Sequence, residues 1–588
     1  MSQVISINNL VENSSWLTRL FIWLLDRVLG IARMNQLYQL NKMQGLSKES
    51  FADKLIALLE LRIHGLDELK AKIPVTGPVV IASNHPFGGI EGVILARAIG
   101  EVRPDLKVLA NKGLGIFREL SDYFIFTNPL SQKDPKNGPS LRRCIEHVKK
   151  QHALLIFPAG KVSYFQAHKN AISEHQWNKI VGRLISIDNC QYVPVFVSGE
   201  NSRFFYRIER IYFRLRMFLL GRELLNKTGA KIEIASGFAI PNKYINDRTF
   251  EQKAAFARTL SYAQDPRWRY QWPADTITTQ KPLAQPVPAQ SIRSEIDKLP
   301  ANQLLTRSKG FEVYFVYQHQ APLVVQEIAR LRELVFRLHN EGSGEPIDTD
   351  KFDASYTHLF ILETDSARIV GAYRMGLTDK LIEKDGLEGL YLNNMFKFGP
   401  EFANQNQPAM EMGRSFLIPE YQGSYQGLLL LWRGIGAFVC LFPQYRTLYG
   451  TVSISKLYDA RSVNLIQHLL ISKNASQQVS PRHHMHFDMH PEISEFCDEY
   501  RLQEDVKGIN TVHLSAFLKS IEHDGKDIPI LAKQYFKMGA QYHALGIDTS
   551  FNHTPGLLLS VELPKAPKKL LQLYLGDGFD GYQQYKRP

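Results

Sequence analysis

Cysteine is scarce in this sequence and long apolar runs are missing from it. The 588 residues include four scattered cysteines, Cys144, Cys190, Cys440 and Cys497, with no CxxC pair. Because disulfide frameworks and zinc fingers need closely spaced cysteines, this scatter disfavours both and indicates a reduced, cytoplasmic setting. No stretch reaches the roughly 18 apolar residues of a transmembrane helix, and the N-terminus lacks a signal-peptide pattern. We therefore expect a cytoplasmic protein that does not span a membrane.

Acidic residues are fewer than basic ones. Lys and Arg total 70 against 58 Asp and Glu, so the formal net charge is +12. An anionic membrane face, an acidic carrier protein or nucleic acid would each suit such a charge. Nucleic acid is disfavoured, because the basic residues lie among large aliphatic ones rather than in a polar stripe.

Two stretches favour a membrane surface. Residues 16–34 place apolar side chains at helical spacing, interrupted by arginines, and residues 204–222 mix arginine with aromatic and aliphatic residues. Both patterns are typical of amphipathic helices that lie in the membrane interface. A helix packed on its own domain would show the same periodicity in the first stretch. The protein is predicted to be peripheral on the inner face of a bacterial cell membrane.

The length predicts several domains, because a chain of 588 residues is too long for one core. We predict an amphipathic membrane-surface segment over residues 1–45 and a first folded domain over 46–262. A linker rich in Pro, Gln, Thr and Ala follows over 263–294, and a second folded domain over 295–588. The sequence shows no internal repeat.

A histidine and a carboxylate flank a tight turn near the start of the first domain. The apolar run 78–83 ends in Asn84-His85, a proline and two glycines follow, and Glu91 opens a helical pattern. In this strand–turn–helix, His85 is suited to take a proton from a hydroxyl while Glu91 orients the imidazole. The alternative is a capping asparagine and a half-buried histidine at a strand end.

Three further sequence blocks lie downstream of this turn. They are the run Phe157-Pro158-Ala159-Gly160-Lys161-Val162-Ser163, a buried strand at 193–199 and a weaker one at 124–129. With the Asn-His block they resemble the lysophospholipid (glycerol-phosphate type) acyltransferase family over approximately residues 60–240. The resemblance implies that His85 is the catalytic base and Glu91 its partner. It also implies substrate binding by Asn84, Phe157, Pro158, Gly160, Lys161 and Ser163.

The departures from that family are informative. Five residues separate His85 from Glu91 where the family usually has four, and the longer Glu and the glycine-containing turn can absorb the difference. Ala159, Lys161 and Val162 replace the family's Glu, Thr and Arg. Because that Arg is a natural fork for phosphate, its loss favours an acceptor without a phosphomonoester, although Lys161 could still hold an anion.

The second half has a different layout. Strands and a long helix lead to a glycine-containing turn, Gln422 to Gly427, which precedes a second apolar helix. Together with Asp350-x-x-Asp353, Arg374 and Glu411-x-x-Arg414, this order resembles the acyl-carrier-protein-dependent N-acyltransferases that make lyso-ornithine lipid. The resemblance spans approximately residues 295–565. The expected fold class is α/β, with an N-terminal glycerolipid-acyltransferase-like domain and a C-terminal α+β domain of the GNAT type.

The polar residues of the second half suit an amino-acid acceptor. Arg374 and Arg414 could bind its α-carboxylate, and Asp350, Asp353 and Glu411 its cationic groups. Glu411 is the simplest candidate to remove the ammonium proton before the amine attacks a thioester directly. The alternative is that Glu411 and Arg414 form a structural ion pair and that the two aspartates only cap a turn.

A histidine-rich stretch at 483–490 invites a metal interpretation. Its spacing matches neither a zinc finger nor HExxH, and it lies in a proline-flanked connector. We therefore predict no metal site.

The two halves together resemble the bifunctional ornithine-lipid synthases. The resemblance implies N-acylation of ornithine by the C-terminal domain, then O-acylation of the 3-hydroxyl by the N-terminal domain. The donor would be acyl carrier protein carrying a phosphopantetheine thioester, or acyl-CoA, with no bound cofactor. Glycine, lysine, glutamine or a hydroxylated amino acid remain alternative acceptors. A membrane-bound lysophospholipid acyltransferase with a non-catalytic C-terminal domain remains a second alternative. A membrane-binding scaffold in which the His85–Glu91 pair has lost its chemistry is a third.

Overall fold

A computed structural model describes most of the chain. The described ranges are residues 29–111, 114–115, 117–127, 137–166, 170–211, 215–245, 248–270, 279–403, 407–423, 425–471, 478–485, 488–504 and 511–586, with Trp23, Arg27 and Trp272. They divide into two compact units, Met1–Arg269 with Asp488–Lys526 and Tyr270–Phe487 with Asp527–Pro588. Most of the predicted amphipathic stretch 16–34 lies outside the described residues. Among the helices that are described, none has the length and apolar character to cross a membrane.

The first unit is built on an eight-stranded mixed sheet with the order β1-β9-β8-β2-β5-β3-β4 and β10 paired to β8. A separate hairpin is formed by β6 and β7. The strands are β1 (Arg62–His64), β2 (Val79–Ser83), β3 (Lys107–Asn111), β4 (Phe124–Thr127), β5 (Ala153–Ile156), β6 (Tyr164–Gln166), β7 (Ala171–Ser173), β8 (Gln191–Val197), β9 (Lys231–Ser236) and β10 (Ile240–Pro241).

The centre of this sheet places the first candidate site. Strand β2 runs parallel to both β5 and β8, and all three are almost continuous runs of buried apolar residues. Such runs are typical of parallel strands covered on both faces. Because the carboxyl ends of parallel strands meet at one edge, His85 and Phe157, which follow β2 and β5, arrive at the same edge of the sheet.

The helices of this first part of the chain surround the sheet. They are α1 (Ile31–Leu40), α2 (Lys48–Leu58), α3 (Leu66–Lys72), α4 (Ile90–Val102), α5 (Asn137–Lys149), α6 (Ile180–Ile185), α7 (Arg203–Ile211), α8 (Leu215–Leu225) and α9 (Phe250–Tyr262). Helix α9 begins at a capping box in which Thr249 and Gln252 satisfy each other's backbone N–H groups. The predicted basic-aromatic stretch 204–222 forms α7 and α8, although residues 212–214 lie outside the described chain.

The second unit contains an eight-stranded sheet with the order β11-β12-β13-β14-β16-β17-β20-β19 and a small β15–β18 pair. Its strands are β11 (Leu304–Ser308), β12 (Phe311–Val316), β13 (Thr357–Glu363), β14 (Arg368–Leu377), β15 (Phe396–Phe398), β16 (Ala409–Leu417), β17 (Thr447–Ser453), β18 (Val479–Pro481), β19 (Gln541–Asp548) and β20 (Thr554–Glu562).

One parallel pair interrupts the antiparallel sheet. Strands β16 and β17 pair from Ala409 with Thr447 to Met412 with Gly450. Beyond that point β16 continues beside β14 and β17 continues beside β20. The two described strands therefore diverge and leave a wedge between them, at the level of Gly413 and Thr451.

The remaining helices complete the chain. They are α10 (Ala289–Ile296), α11 (Pro322–Arg337), α12 (Thr378–Asp385), α13 (Pro400–Ala403), α14 (Tyr425–Leu441), α15 (Ala460–Leu470), α16 (Pro491–Glu504), α17 (Thr511–Ile521), α18 (Ile530–Lys537), α19 (Lys568–Leu575) and α20 (Phe579–Gln584). Of these, α16 and α17 belong to the first unit.

The domain limits differ from the sequence-based ones in two places. The segment Asp488–Lys526, assigned from the sequence to the second domain, is part of the first unit. The later part of the predicted linker is held against the second unit, because Lys281 N donates to Gly344 O and Ala284 N to Pro346 O, over 2.9 and 3.1 Å. Both differences arise from contacts between residues far apart in the chain, which local composition does not reveal.

Candidate active sites

The first site contains a histidine–carboxylate pair. His85 Nδ1 lies 2.9 Å from Glu91 Oε1. The histidine side chain is about one-fifth exposed and the glutamate side chain is fully buried. The ring of Phe157, which follows β5, lies 4.7 Å from the imidazole between centroids. The carboxylate is therefore placed to orient the ring, and the other ring nitrogen is left for a substrate proton.

The turn between His85 and Glu91 folds around the carboxylate. Glu91 Oε1 accepts the backbone N–H groups of Phe87 and Gly88, over 2.9 and 2.8 Å, and Oε2 accepts that of Gly89 over 3.0 Å. Burial opposes ionisation, but the charge of His85 and these hydrogen bonds outweigh it and lower the Glu91 pKa to about 2. Gly88 has a φ of 94°, so the extra residue of this turn is accommodated by a left-handed glycine.

We predict that Glu91→Gln destabilises the first unit, because an amide replaces a carboxylate that accepts three backbone donors. The free energy of unfolding is expected to fall by about 1–3 kcal/mol at pH 7. The folded-state pKa is lowered from about 4.5 to about 2, so the carboxylate's stabilisation is complete above pH 4.5 and is lost as pH falls toward 2. Denaturant unfolding at pH 7 and pH 4 should show the difference shrinking in acid. The exposed Glu68→Gln serves as the control.

The loop at residues 157–163 lies against His85. Ser163 N donates to His85 O over 3.0 Å, so the loop after β5 is tied to the histidine's own backbone. Gly160 has a φ of 66°, Pro158 is buried and Lys161 is half-buried on the same loop. The structure thus brings Phe157 and Ser163 directly against His85 and places Pro158, Gly160 and Lys161 on the adjoining loop.

Asn84 has a different position from that of a substrate-binding residue. Its Nδ2 donates to Val197 O over 2.9 Å, and its Oδ1 accepts from Val197 N over 2.6 Å. The side-chain amide therefore forms two hydrogen bonds of the kind that join neighbouring strands, and it links the end of β2 to the end of β8. Because its side chain is buried and both ends of its amide are engaged, Asn84 stabilises the edge that carries His85.

Val162 occupies the position where the resembled family has a phosphate-binding arginine. It is buried in an apolar cluster with Leu29, Phe205, Tyr206 and Leu219. A phosphate placed there would lose its hydration without gaining a cation from this residue. The local environment therefore fits the sequence-based inference that the acceptor carries no phosphomonoester.

The second site is a cavity of about 90 Å³ at the wedge between β16 and β17. Residues 412–415 of β16 and 451–453 of β17 line it, together with the side chains of Glu411, Arg374, Tyr391 and Asp548. Strand divergence thus exposes both backbone groups and charged side chains to one cavity.

Glu411 presents one unsatisfied oxygen in this site. Its Oε1 accepts the Tyr356 hydroxyl over 3.0 Å and Leu392 N over 3.2 Å. Its Oε2 is buried and has no hydrogen-bond partner among the described residues. Burial raises the Glu411 pKa to about 7, only partly offset by these hydrogen bonds and by Arg374. A carboxylate of this kind exchanges protons near neutral pH and is suited to general-base catalysis.

Arg414 reaches the cavity because of a β-bulge. Between the pairs Ala372–Phe416 and Arg374–Gly413, β16 has two residues where β14 has one. Arg414 has a φ of 50° there, a strained conformation for a residue other than glycine. Its Nη2 donates to the Tyr391 hydroxyl over 2.9 Å.

Arg374 and the two predicted aspartates form one charge cluster, in which Arg374 and Asp353 are buried and Asp350 is partly exposed. Arg374 Nη1 lies 2.6 Å from Asp350 Oδ1 and 3.1 Å from Asp353 Oδ1. Asp353 also accepts from Arg332, and these two arginines outweigh burial and lower its pKa well below the usual range. Glu411, Arg374 and Arg414 therefore line the cavity, whereas Asp350 and Asp353 pair with arginine behind it.

Several residues of the two sites have no recognisable pattern in the sequence. Tyr356 and Tyr391 lie on segments between strands. Glu341 is a second buried carboxylate, and burial raises its pKa to about 7. In the first unit, Glu174 is buried behind His85 and accepts its backbone N–H. The acidic composition of residues 341–353 is a weak signal for Glu341. Tyr356, Tyr391 and Glu174 can be assigned to the sites only from the folded structure.

The histidine-rich stretch does not assemble a metal centre in the part of the chain described here. His490 Nε2 lies 3.2 Å from Asp265 Oδ2, which makes it a structural partner of that carboxylate. His486 lies outside the described residues.

Two protein-family models match separate parts of the chain. A family model described as Acyltransferase matches residues 61–261, and one described as Acetyltransferase (GNAT) domain matches residues 331–433. The first range contains His85 and Glu91. The second contains Glu411 and Arg414.

Curated relatives carry acyltransferase names. A glycine N(alpha)-acyltransferase of Bacteroides thetaiotaomicron is 27% identical over 48% of this chain and 86% of its own length. A lyso-glycine lipid O-acyltransferase of Phocaeicola vulgatus is 25% identical over 34% of this chain and 72% of its own length. A solved CoA-dependent acyl-homoserine lactone synthase covers 47% of this chain and 97% of its own at 11% identity, but its TM-score of 0.22 supports no conclusion.

These findings define the class of protein. The chain is an acyl-transferring enzyme with one region similar to the Acyltransferase family and another similar to the GNAT domain, and the predicted two-domain α/β fold class is confirmed. It is similar both to a protein that acylates an amino acid and to one that acylates a lyso-lipid, as their names state.

Proposed function

We propose that the chain is a bifunctional enzyme that makes an ornithine lipid by two successive acyl transfers. The second unit transfers a 3-hydroxyacyl group from acyl carrier protein to the α-amine of ornithine. The first unit then acylates the 3-hydroxyl of that product. The observation that carries the proposal is that one chain holds two separate sites, one with the buried carboxylate Glu411, whose pKa is raised to about 7, and one with the His85–Glu91 pair.

The wedge between β16 and β17 supports thioester binding in the second unit. Strands that diverge have backbone N–H and C=O groups without ladder partners, and the amides of an extended pantetheine arm are suited to pair with them. Glu411 Oε2 takes the ammonium proton of the acceptor. The free amine then forms the new C–N bond, the C–S bond breaks, and the thiolate leaves and is reprotonated.

Charge around the second cavity supports an acceptor with a cationic side chain. The cluster contains three arginines and six carboxylates, namely Arg332, Arg374, Arg414, Glu341, Asp348, Asp350, Asp353, Glu411 and Asp548. The carboxylates outnumber the arginines even with Glu341 and Glu411 partly protonated. A second ammonium group, such as that of ornithine, would offset the remaining negative charge.

The first unit supports O-acylation without a phosphate. His85 takes the proton of the 3-hydroxyl while Glu91 holds the imidazole. The new C–O bond forms, the C–S bond of the donor thioester breaks, and the leaving thiolate takes the proton from the imidazolium. The buried Val162 leaves no arginine for a phosphomonoester, which suits an amino-acid lipid rather than glycerol phosphate.

The basic net charge of the chain supports an acidic carrier protein and a membrane surface as partners. A net charge of +12 favours an acidic carrier protein and an anionic membrane surface over nucleic acid. The enzyme would act peripherally on the inner face of the cell membrane, with acyl-CoA as a possible alternative donor and with no resident cofactor required.

Glycine is the second candidate acceptor, because relatives are named for glycine and for lyso-glycine lipid. It would leave the surplus carboxylate charge of the cavity without a partner. Glutamine is a weaker candidate for the same reason, because its side chain is uncharged. Lysine is a weaker candidate because its side chain is longer than that of ornithine.

The test is mass spectrometry of lipids from a bacterial host that makes no amino-acid lipids. With the full chain and isotope-labelled ornithine or glycine, we expect a two-chain lipid that carries the ornithine label. Glycine label in that lipid would correct the acceptor and leave the two-step scheme intact. The absence of any acylated amino acid would refute the proposal.

A further inference from the structure

The segment Asp488–Lys526 is an integral part of the first unit, although most of the second unit precedes it in the chain. Phe256 of α9 contacts Phe496 of α16 and Phe517 of α17, with ring centroids 5.6 and 5.2 Å apart. Phe238 N donates to Ser520 O over 3.1 Å. Both Phe256 and Phe517 are completely buried, so the segment is packed into the core of the unit.

Glu492, in the first turn of α16, forms a closed polar triangle with two residues of the first half. Arg258 Nη1 donates to Glu492 Oε2 over 2.7 Å, and the Ser173 hydroxyl donates to Glu492 Oε1. Arg258 Nη2 also donates to Ser173 Oγ over 3.1 Å. All three residues are buried, so losing one of them leaves a charge or a hydrogen-bonding group in the interior.

This triangle adjoins the backbone of His85. Ser173 is followed directly by Glu174, whose Oε1 accepts the His85 N–H and whose Oε2 accepts the Trp177 indole N–H over 2.7 Å. Burial raises the Glu174 pKa, and the nearby Arg258 guanidinium acts in the opposite direction. Glu174 therefore holds the end of β2 from behind, at the residue that carries the imidazole.

We propose that Glu492 is a positioning residue for His85 that acts through Ser173, Arg258 and Glu174. The inference rests on the proposed O-acylation, because it concerns the geometry of His85 in that reaction. Without Glu492, Arg258 keeps a buried positive charge, and Glu174 is the carboxylate that then attracts it. Glu174 moves away from the His85 N–H, and the imidazole loses its alignment with the substrate hydroxyl.

One consequence concerns separation of the two activities. A front fragment that ends in the linker lacks Glu492, which lies about two hundred residues further along the chain. The first unit therefore needs the segment 488–526, from the second half of the sequence, to hold His85 in position.

The experiment uses the full-length chain with Glu492→Ala, Glu492→Gln and, as a control on an exposed part of the same helix, Glu499→Gln. O-acylation of N-(3-hydroxyacyl)ornithine gives kcat and KM, and hydrogen–deuterium exchange follows the segment 84–91. For Glu492→Ala we expect kcat to fall about 10- to 100-fold with little change in KM, since small misplacements cost about that much. Exchange of the segment should accelerate. Glu492→Gln, whose carbonyl still accepts a hydrogen bond, should be intermediate.

The outcomes separate this inference from the function itself. If Glu492→Ala matches Glu499→Gln in kcat and in exchange, the positioning role is overturned. Accelerated exchange that extends to β9 would indicate general loosening and would overturn a specific role as well. If the wild-type chain does not acylate the lyso-lipid but the exchange of segment 84–91 responds as expected, the structural link to His85 holds while the proposed O-acylation fails.

Discussion

Replacing His85 by alanine is expected to abolish the second acylation and leave the first intact. In the proposed function the imidazole is the base for the hydroxyl, so its loss should lower the rate of O-acylation by about 100- to 10,000-fold, the usual contribution of a general base. The proposed base of N-acylation lies in the second unit, so that step should continue. Cells that make the His85→Ala chain should therefore accumulate the mono-acylated lyso-lipid, which mass spectrometry detects directly.

His64→Ala is the matched control, because His64 lies exposed on β1 of the same unit and at a distance from the His85 turn in the chain. It should give the complete two-chain lipid. If His85→Ala still makes normal amounts of that lipid, His85 is not the base, and the first unit acts by other residues or not at all. Loss of both products in His85→Ala would show that the two activities depend on each other.

The sequence contained the proposed catalytic pair of the first site but not the contacts that hold the pair in place. His85, Glu91, Phe157 and Ser163 were predicted from contiguous blocks, and the structure brings all four together. Contiguous blocks are informative because strand ends and turns are local. Asn84 was assigned to substrate, yet its amide pairs with Val197 on another strand, and only the strand order reveals that partner.

The second site was harder to predict because its charges are balanced by distant residues. Asp350 and Asp353 were expected to bind the cationic groups of the acceptor, but both pair with Arg374, and Asp353 also pairs with Arg332 of α11. Arg414 reaches the cavity through a bulge that alternation along β16 does not predict. A residue's charge is visible in the sequence, whereas the partner that neutralises the charge depends on the fold.

The same limitation explains the domain boundaries. The segment Asp488–Lys526 has helical patterns that would suit either unit, and nothing in its composition assigns it to one of them. Its assignment depends on Phe256, Arg258 and other residues some 230 positions earlier. Sequence reasoning gave the number and class of the catalytic domains, while the path of the chain between them came from the structure.

Glu411→Gln is expected to eliminate both products in cells, because the amide has the shape of the carboxylate but does not accept the ammonium proton. The N-acylation rate should fall by about 100- to 10,000-fold. Supplying the variant with lyso-lipid should restore the two-chain product, since His85 and Glu91 are unchanged. Glu388→Gln, exposed in the same unit, is the control and should retain both steps.

The pH dependence gives a second, independent readout of Glu411. Burial raises its pKa to about 7, and only the ionised form is a base. The kcat/KM of N-acylation should therefore rise with pH and level off above about 7, with about a tenfold loss for each pH unit below it. This limb should disappear from the residual activity of Glu411→Gln. A wild-type profile that is flat from pH 5.5 to 8, or a limb that persists in the variant, would assign the proton transfer to another group, with Glu341 the first to examine because its pKa is also raised to about 7.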